Sequence, residues 1–387
     1  MLIHYSCRHY RGDVPCLPNK ERGRECPTCE EFDPITDRIA LIKLGAPGDV
    51  LRTTSLLPGI RRHWPGCEIT WLTRLDSAPL LQNIGIDRIL TLEEEGVLQM
   101  LGEKFDVVIN LDNDPLAAAL ATQERSLRHL GFVLDDQGRI IGDCPEAQQW
   151  LEMACFDRLK RENQDTYQSH MRRIIGLSPA WIDPIQICFS ETELAAADEK
   201  MKGLGMAGAC PIAFNTGTGS RWKTKRWPQE RFLELAFLLA PHSSGGKILL
   251  LGGPLEEEEN RILALERPDL FVASGALPIR HFMALVSRCG LVVTGDTLAL
   301  HIALGCGIPT VALFGPTSAA EIEGTGPFIK INSPVSCRRY YSRTCDESPC
   351  CMETITARMV HEQIVSSGWL DHHPATSGCG AEKEQAS

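Results

Sequence analysis

The sequence predicts an α/β protein made of two doubly wound, Rossmann-like halves, preceded by a small cysteine-rich segment. Three observations carry that prediction. The chain has 387 residues, too many for one ordinary core and enough for two domains. Short, near-continuous apolar runs recur along it, each followed by a segment long enough for a helix, the rhythm of parallel βαβ units. The Gly-, Thr- and Asp-rich motifs fall directly after those runs, where open α/β sheets bind ligands.

Residues 1–34 stand apart, with Cys7, Cys16, Cys26 and Cys29 among many charges. A first domain is expected over 35–185, with strands at 38–44, 68–73, 88–92 and 106–111. The helix after its first strand contains Pro58-Gly59 and should kink there. A charged helical stretch spans about 146–175, and the crossover to the second half falls near 180–190. A second domain is expected over 186–370, with strands at 211–214, 247–251, 270–273, 291–294 and 310–314. Residues 230–239 and 256–265 show the spaced apolar faces of helices. Residues 371–387 are small, polar and acidic, and read as a disordered tail.

The composition excludes several classes. With 39 Lys and Arg against 50 Asp and Glu, the net charge is −11, which argues against a nucleic-acid partner. The longest apolar runs, such as Ile248–Leu251, are strand-sized and far below the ~20 residues of a membrane span. The first 30 residues have no apolar core of a signal peptide, so the expected location is cytoplasmic. There, 16 cysteines should be metal ligands or buried thiols rather than disulfides. Cys7, Cys16, Cys26 and Cys29 include a Cys-x2-Cys knuckle and form a candidate structural zinc or iron–sulfur site. The group Cys337, Cys345, Cys350 and Cys351 is less evenly spaced. Cys67, Cys144, Cys155, Cys188, Cys210, Cys289 and Cys306 are expected to pack as small apolar side chains.

Four motifs carry chemistry. Gly45-Ala46-Pro47-Gly48-Asp49 follows the first strand; Asp49 reads either as a helix N-cap or as a carboxylate able to take a proton from a hydroxyl. Residues 215–228 form a Gly/Thr/Ser loop, beginning at Asn215, Thr216 and Gly217, followed by Arg221, Lys223, Lys225 and Arg226. Cations gathered in an acidic protein point to an anion such as a phosphate; the plainer reading is a solvated basic loop before a helix started by Pro228. Gly252-Gly253-Pro254-Leu255-Glu256 sets a carboxylate near a strand end, where it could accept from a ribose diol, within an acidic run that suits a first helical turn. Asp296, Thr297, Leu298 and His301 open a helix after the strand at 291–294. Its N–H groups suit a diphosphate, and His301 shares a face with Thr297; the alternative is an ordinary cap and a packed histidine. The dinucleotide fingerprint and the nucleotide-hydrolysing P-loop are both absent, which disfavours a nicotinamide oxidoreductase.

Taken in order, strand-GxxGD, KxWP after a Gly/Ser loop, GxPxE and DTxxxH resemble glycosyltransferase family 9, the ADP-heptose:lipopolysaccharide heptosyltransferases, over roughly residues 38–330. The resemblance implies a GT-B fold, with an acceptor-binding first domain and a donor-binding second domain facing a cleft. It implies Asp49 as general base, Lys225 as the diphosphate-binding lysine, Glu256 as the ribose-binding carboxylate, and Asp296, Thr297 and His301 as the donor signature. Thr216, Gly217 and the Leu298 N–H complete the expected donor site; position 298 is often Gly in the family. The implied reaction is an inverting transfer of heptose from ADP-heptose to a lipopolysaccharide core acceptor, with no cofactor or metal needed for catalysis. A lipid-linked acceptor would bring the protein transiently to the inner membrane. The alternatives are a protein or other glycan as acceptor, and a non-catalytic, nucleotide-binding zinc or iron–sulfur protein.

Overall fold

The computed structural model describes residues 3–122, 126–219, 222–337 and 340–370. Residues 371–387, expected to be a disordered tail, lie outside them, as does Arg221 of the basic loop. The chain divides into two compact units. The first comprises Met1–Cys155 and Ser169–Asp183, the second Phe156–Gln168 and Pro184–Ser387.

The first unit holds six strands: β1 (Arg38–Ile42), β2 (Glu68–Thr73), β3 (Arg88–Thr91), β4 (Val107–Asn110), β5 (Arg128–Leu134) and β6 (Ile140–Gly142). Their order is β3-β2-β1-β4-β5-β6, parallel throughout except for the last pair. Ile39, Ala40, Leu41 and Ile42 have no exposed surface, because helices cover both faces of a central parallel strand. The expected kink is a break. The helix Pro47–Thr53 gives way to a 3-10 turn, Thr54–Leu56, and a new helix, Leu57–His63, begins with Pro58 in its first turn. There Pro needs no backbone donor.

The second unit repeats the plan with β7 (Ile212–Asn215), β8 (Ile248–Leu251), β9 (Phe271–Ala273), β10 (Leu291–Gly295), β11 (Thr310–Phe314) and β12 (Phe328–Asn332). The order β12-β11-β10-β7-β8-β9 is wholly parallel and is topologically the same as the first. Its core joins Ile212, Phe214, Leu250 and Val293 of the sheet to Phe232, Leu235 and Leu239 of the helix Gln229–Leu239, and to Val360 and Ile364 of the helix Ala357–Ser366.

The charged stretch expected near 146–175 is three helices, Pro145–Cys155, Asp157–Glu162 and Tyr167–Ile174. Its middle belongs to the second unit. There the Thr166 hydroxyl donates to Glu323 at 2.8 Å, the Tyr167 N–H donates to the Glu321 carbonyl at 2.9 Å, and Arg161 lies over the Tyr340 ring. Among the described residues no helix is long and apolar enough to cross a membrane.

Candidate active site

In each sheet the winding direction reverses between the first and fourth strands, and ligands of such folds bind outside the carboxyl ends of the strands at that switch. β1 lies beside β4, and β7 beside β10. The chemistry-bearing motifs follow β1, β7 and β10, and the Gly252–Glu256 motif follows β8, the neighbour of β7.

In the second unit, Asn215 ends β7 and holds the switch together. Its amide donates to the Gly217 carbonyl at 3.0 Å and to the Thr294 and Thr297 hydroxyls at 3.2 Å. The helix Leu298–Gly305 then begins with Thr297 at its N-cap in extended conformation, without a capping bond from the Thr297 side chain. That hydroxyl is turned to Asn215 and Thr294 instead, so the first-turn N–H groups are not closed off by their own cap. Leu298 is half-buried, and His301 is buried within the same helix.

Lys225 reaches this point from the basic loop. It closes a 3-10 turn, Lys223–Lys225, two residues before Trp227, which is buried and donates to the Ile355 carbonyl at 2.9 Å. Trp227 anchors the loop, Pro228 starts the next helix, and Lys225 is thereby aimed at the switch. Its Nζ lies 2.7 Å from Asp296 Oδ2, 3.3 Å from the Asp296 carbonyl and 5.5 Å from the Trp222 ring centre. The charge of Asp296, which would repel a phosphate, is therefore balanced by a lysine.

Glu256 is buried and accepts from the Gly253 N–H at 3.0 Å. The glycines around it are there for space. A Cβ on Gly217 would lie 2.4 Å from Glu256 Cδ, and one on Gly252 would lie 2.8 Å from Glu256 Cβ. Thr216 adjoins this group, donating to Asn260 at 2.7 Å. Thr216, Gly217, Lys225, Glu256, Asp296 and Thr297 thus belong to one connected set of contacts around the ends of β7, β8 and β10.

In the first unit, Asp49 is not an N-cap. Ala46 holds that position, and Asp49 is the third residue of the helix Pro47–Thr53. Its carboxylate pairs with Arg52 at 2.7 Å and remains 37% exposed. Behind it lies a buried ion pair that sequence reasoning missed, Lys43 Nζ to Asp112 Oδ1 at 2.5 Å.

The four candidate metal ligands of the cysteine-rich segment sit on separate stretches of backbone. Cys7 is tied into an extended bridge with Pro34, Cys16 caps the short helix Leu17–Arg22, and Cys26 begins a separate 3-10 turn, Cys26–Thr28, that Cys29 follows. Ion pairs join Arg8 to Asp33 and Asp87, and Arg22 to Glu31. All four cysteines are half-buried free thiols, and among the described residues no three His, Cys, Asp or Glu side chains are placed to hold a metal ion. Of the seven scattered cysteines, Cys67, Cys210 and Cys289 are buried as expected, Cys144 and Cys306 are half-buried, and Cys155 and Cys188 are exposed.

Two like-ordered doubly wound units, with a lysine and an uncapped helix end at the second switch, define an enzyme of the GT-B glycosyltransferase class. The model of glycosyltransferase family 9 (heptosyltransferase) matches residues 153–354, and the chain belongs to that family. It is 24% identical over 298 residues to lipooligosaccharide heptosyltransferase 2 of Haemophilus influenzae, covering 70% of this chain and 81% of the relative. Among solved structures it resembles a family 9 glycosyltransferase from Veillonella parvula, with a TM-score of 0.64, 18% identity, and coverage of 88% of this chain and 98% of the other. It also resembles the ADP-heptose lipopolysaccharide heptosyltransferase II of E. coli, with a TM-score of 0.63, 18% identity, and coverage of 86% and 98%.

Proposed function

We propose that this glycosyltransferase moves a heptose from ADP-heptose to a lipopolysaccharide-type core acceptor with inversion at the anomeric carbon. The observation that carries the donor reading is the meeting of Lys225 with Asp296 beside the uncapped helix at Leu298. A lysine and a helix amino end on one strand switch suit a diphosphate. Glu256, held under Gly217, suits the ribose diol of the same nucleotide. The names of the relatives supply the sugar and the acceptor class.

The first unit supplies the base. Asp49 takes the proton of the acceptor hydroxyl; that oxygen forms the new bond to the anomeric carbon as the bond to ADP breaks, and the electron pair leaves on the diphosphate. Lys225 and the N–H groups at the Leu298 helix end meet the charge as it grows, stabilising the transition state more than the ground state. These groups can carry the leaving-group charge without a metal. Incubation with ADP-heptose and a panel of truncated core glycolipids should release ADP and yield a heptosylated glycolipid of inverted anomeric configuration. Retained configuration, or ADP release that no glycolipid stimulates, would overturn the reading.

A further inference from the structure

The geometry behind Asp49 points to a device for which the reaction as written has no use. We propose that Asp112, neutralised by Lys43, is the positioning residue that fixes the turn at Leu44 and Gly45, and thereby the carboxylate of Asp49 on the helix that follows. The inference rests on the reading of Asp49 as the base.

Asp112 lies just past β4, beside the end of β1. Its Oδ1 takes the Lys43 ammonium at 2.5 Å, and its Oδ2 accepts from the Leu44 N–H and from the Gly45 N–H at 3.0 Å. The Leu44 carbonyl accepts from Arg74 at 2.9 Å, so the peptide groups on both sides of Leu44 are held. Lys43 also donates to the Leu111 carbonyl at 2.8 Å. Asn110 locks Asp112 in turn, accepting from its N–H at 3.0 Å while donating to its carbonyl at 3.1 Å and to the Phe132 carbonyl at 2.8 Å. Lys43, Asn110 and Asp112 are all buried. A buried ion pair is a poor source of stability compared with apolar side chains of like volume, so its presence here is better explained by the geometry it fixes. Gly45 shows where that geometry is sent. A Cβ on it would lie 3.2 Å from Asp112 Oδ1 and 3.5 Å from both Cβ and Oδ2 of Asp49. The two carboxylates flank one glycine, and a shift of the anchored peptide passes directly to the base.

The test compares two paired variants that both remove the buried charges. Lys43→Met with Asp112→Asn keeps an oxygen that accepts from the loop N–H groups; Lys43→Met with Asp112→Leu does not. The asparagine pair should lower kcat about threefold. The leucine pair should lower it about 100-fold, the order expected for misplacement by ~1 Å, with unchanged ADP affinity and a melting temperature matching the asparagine pair. In an Asp49→Asn background the leucine pair should cost nothing further, because its effect runs through Asp49. Should the leucine pair fail to fold, Arg74→Ala at the exposed end of the clamp serves instead, with a kcat loss of about tenfold that also vanishes without Asp49. Equal kcat for the two pairs, or an equal loss with and without Asp49, would overturn the positioning role. Near-normal turnover by Asp49→Asn alone would sink the base reading first, and is told apart because it needs no change at Asp112.

Discussion

Lys225 and Asp296 meet at 2.7 Å with both side chains largely buried, although 71 residues of chain separate them. The pair joins the loop after β7 to the helix mouth after β10, across the point where the second sheet reverses its winding. A lysine held this way would lose little freedom on meeting the diphosphate of the proposed donor, and the aspartate that holds it balances its charge. Replacing Lys225 by Ala should lower kcat/KM by about 100- to 1,000-fold, the scale of one preorganised transition-state contact. Asp296→Asn should raise the donor KM about tenfold through loss of the orienting partner. Steady-state kinetics with the acceptor saturating will check both.

Gly217 tests the Glu256 pocket without touching a charge. A methyl group there would lie 2.4 Å from Glu256 Cδ, so Gly217→Ala must push the carboxylate or the loop aside. Overpacking of this kind costs about 1–3 kcal/mol. The donor KM should rise at least about tenfold, and a lowered affinity for ADP should accompany it. An unchanged donor KM would separate Glu256 from nucleotide binding.

Glu193 offers a pH test remote from the chemistry. Arg280 donates to it at 2.7 and 2.8 Å and the Ser190 N–H at 2.8 Å, and these bonds, Arg280 foremost, hold its carboxyl down to about 2, against an ordinary 4.5. The stabilisation is therefore whole above about pH 4.5 and is lost as pH falls toward 2. Glu193→Gln should lose about 1 kcal/mol of stability at pH 7 after allowance for solvent screening. The difference from the parent should shrink as pH falls below about 4.5 and vanish only below about 2. Urea melts across that range will show it, and a difference independent of pH would contradict it.

Cys351 should be inert. Burial, then the neighbouring thiols of Cys337, Cys350 and Cys345, push its thiol well above the usual range, so it stays protonated at pH 8. Alkylation of the native protein at that pH should label the exposed Cys155 and Cys188 and leave Cys351 until denaturant is added. Peptide mapping that found Cys351 labelled as fast as Cys155 would contradict the burial.

Much of the fold was legible because central parallel strands are apolar on both faces: β1, β4, β7, β8 and β10 all announce themselves as unbroken runs. The strands that sequence reasoning missed are those at or near a sheet edge. β6 is three residues long, β12 reads Phe-Ile-Lys-Ile-Asn with charge and amide in alternation, and β5 begins with Arg128-His129 and contains Gly131. Gly131 is required there, with φ at 109° and no space for a Cβ beside the Asn110 carbonyl. The motifs proposed to bind the donor were legible because glycines and charges cluster at strand ends. The pairing of Lys43 with Asp112 was not, since a lone polar residue in an apolar run gives no sign of the partner that neutralises it. The Cys-x2-Cys knuckle was visible in sequence, whereas the separate backbone settings of Cys7 and Cys16 were not. The excursion of Phe156–Gln168 into the second unit depends on contacts with Glu321, Glu323 and Tyr340 that no local pattern records.

Calorimetric titration of the full chain with ADP tests the donor site most directly. One ADP should bind per chain, with affinity lowered at least about tenfold by Lys225→Ala and by Gly217→Ala and unaltered by Asp49→Asn. ADP binding that ignored both substitutions in the second unit, or that was abolished by Asp49→Asn, would contradict the assignment.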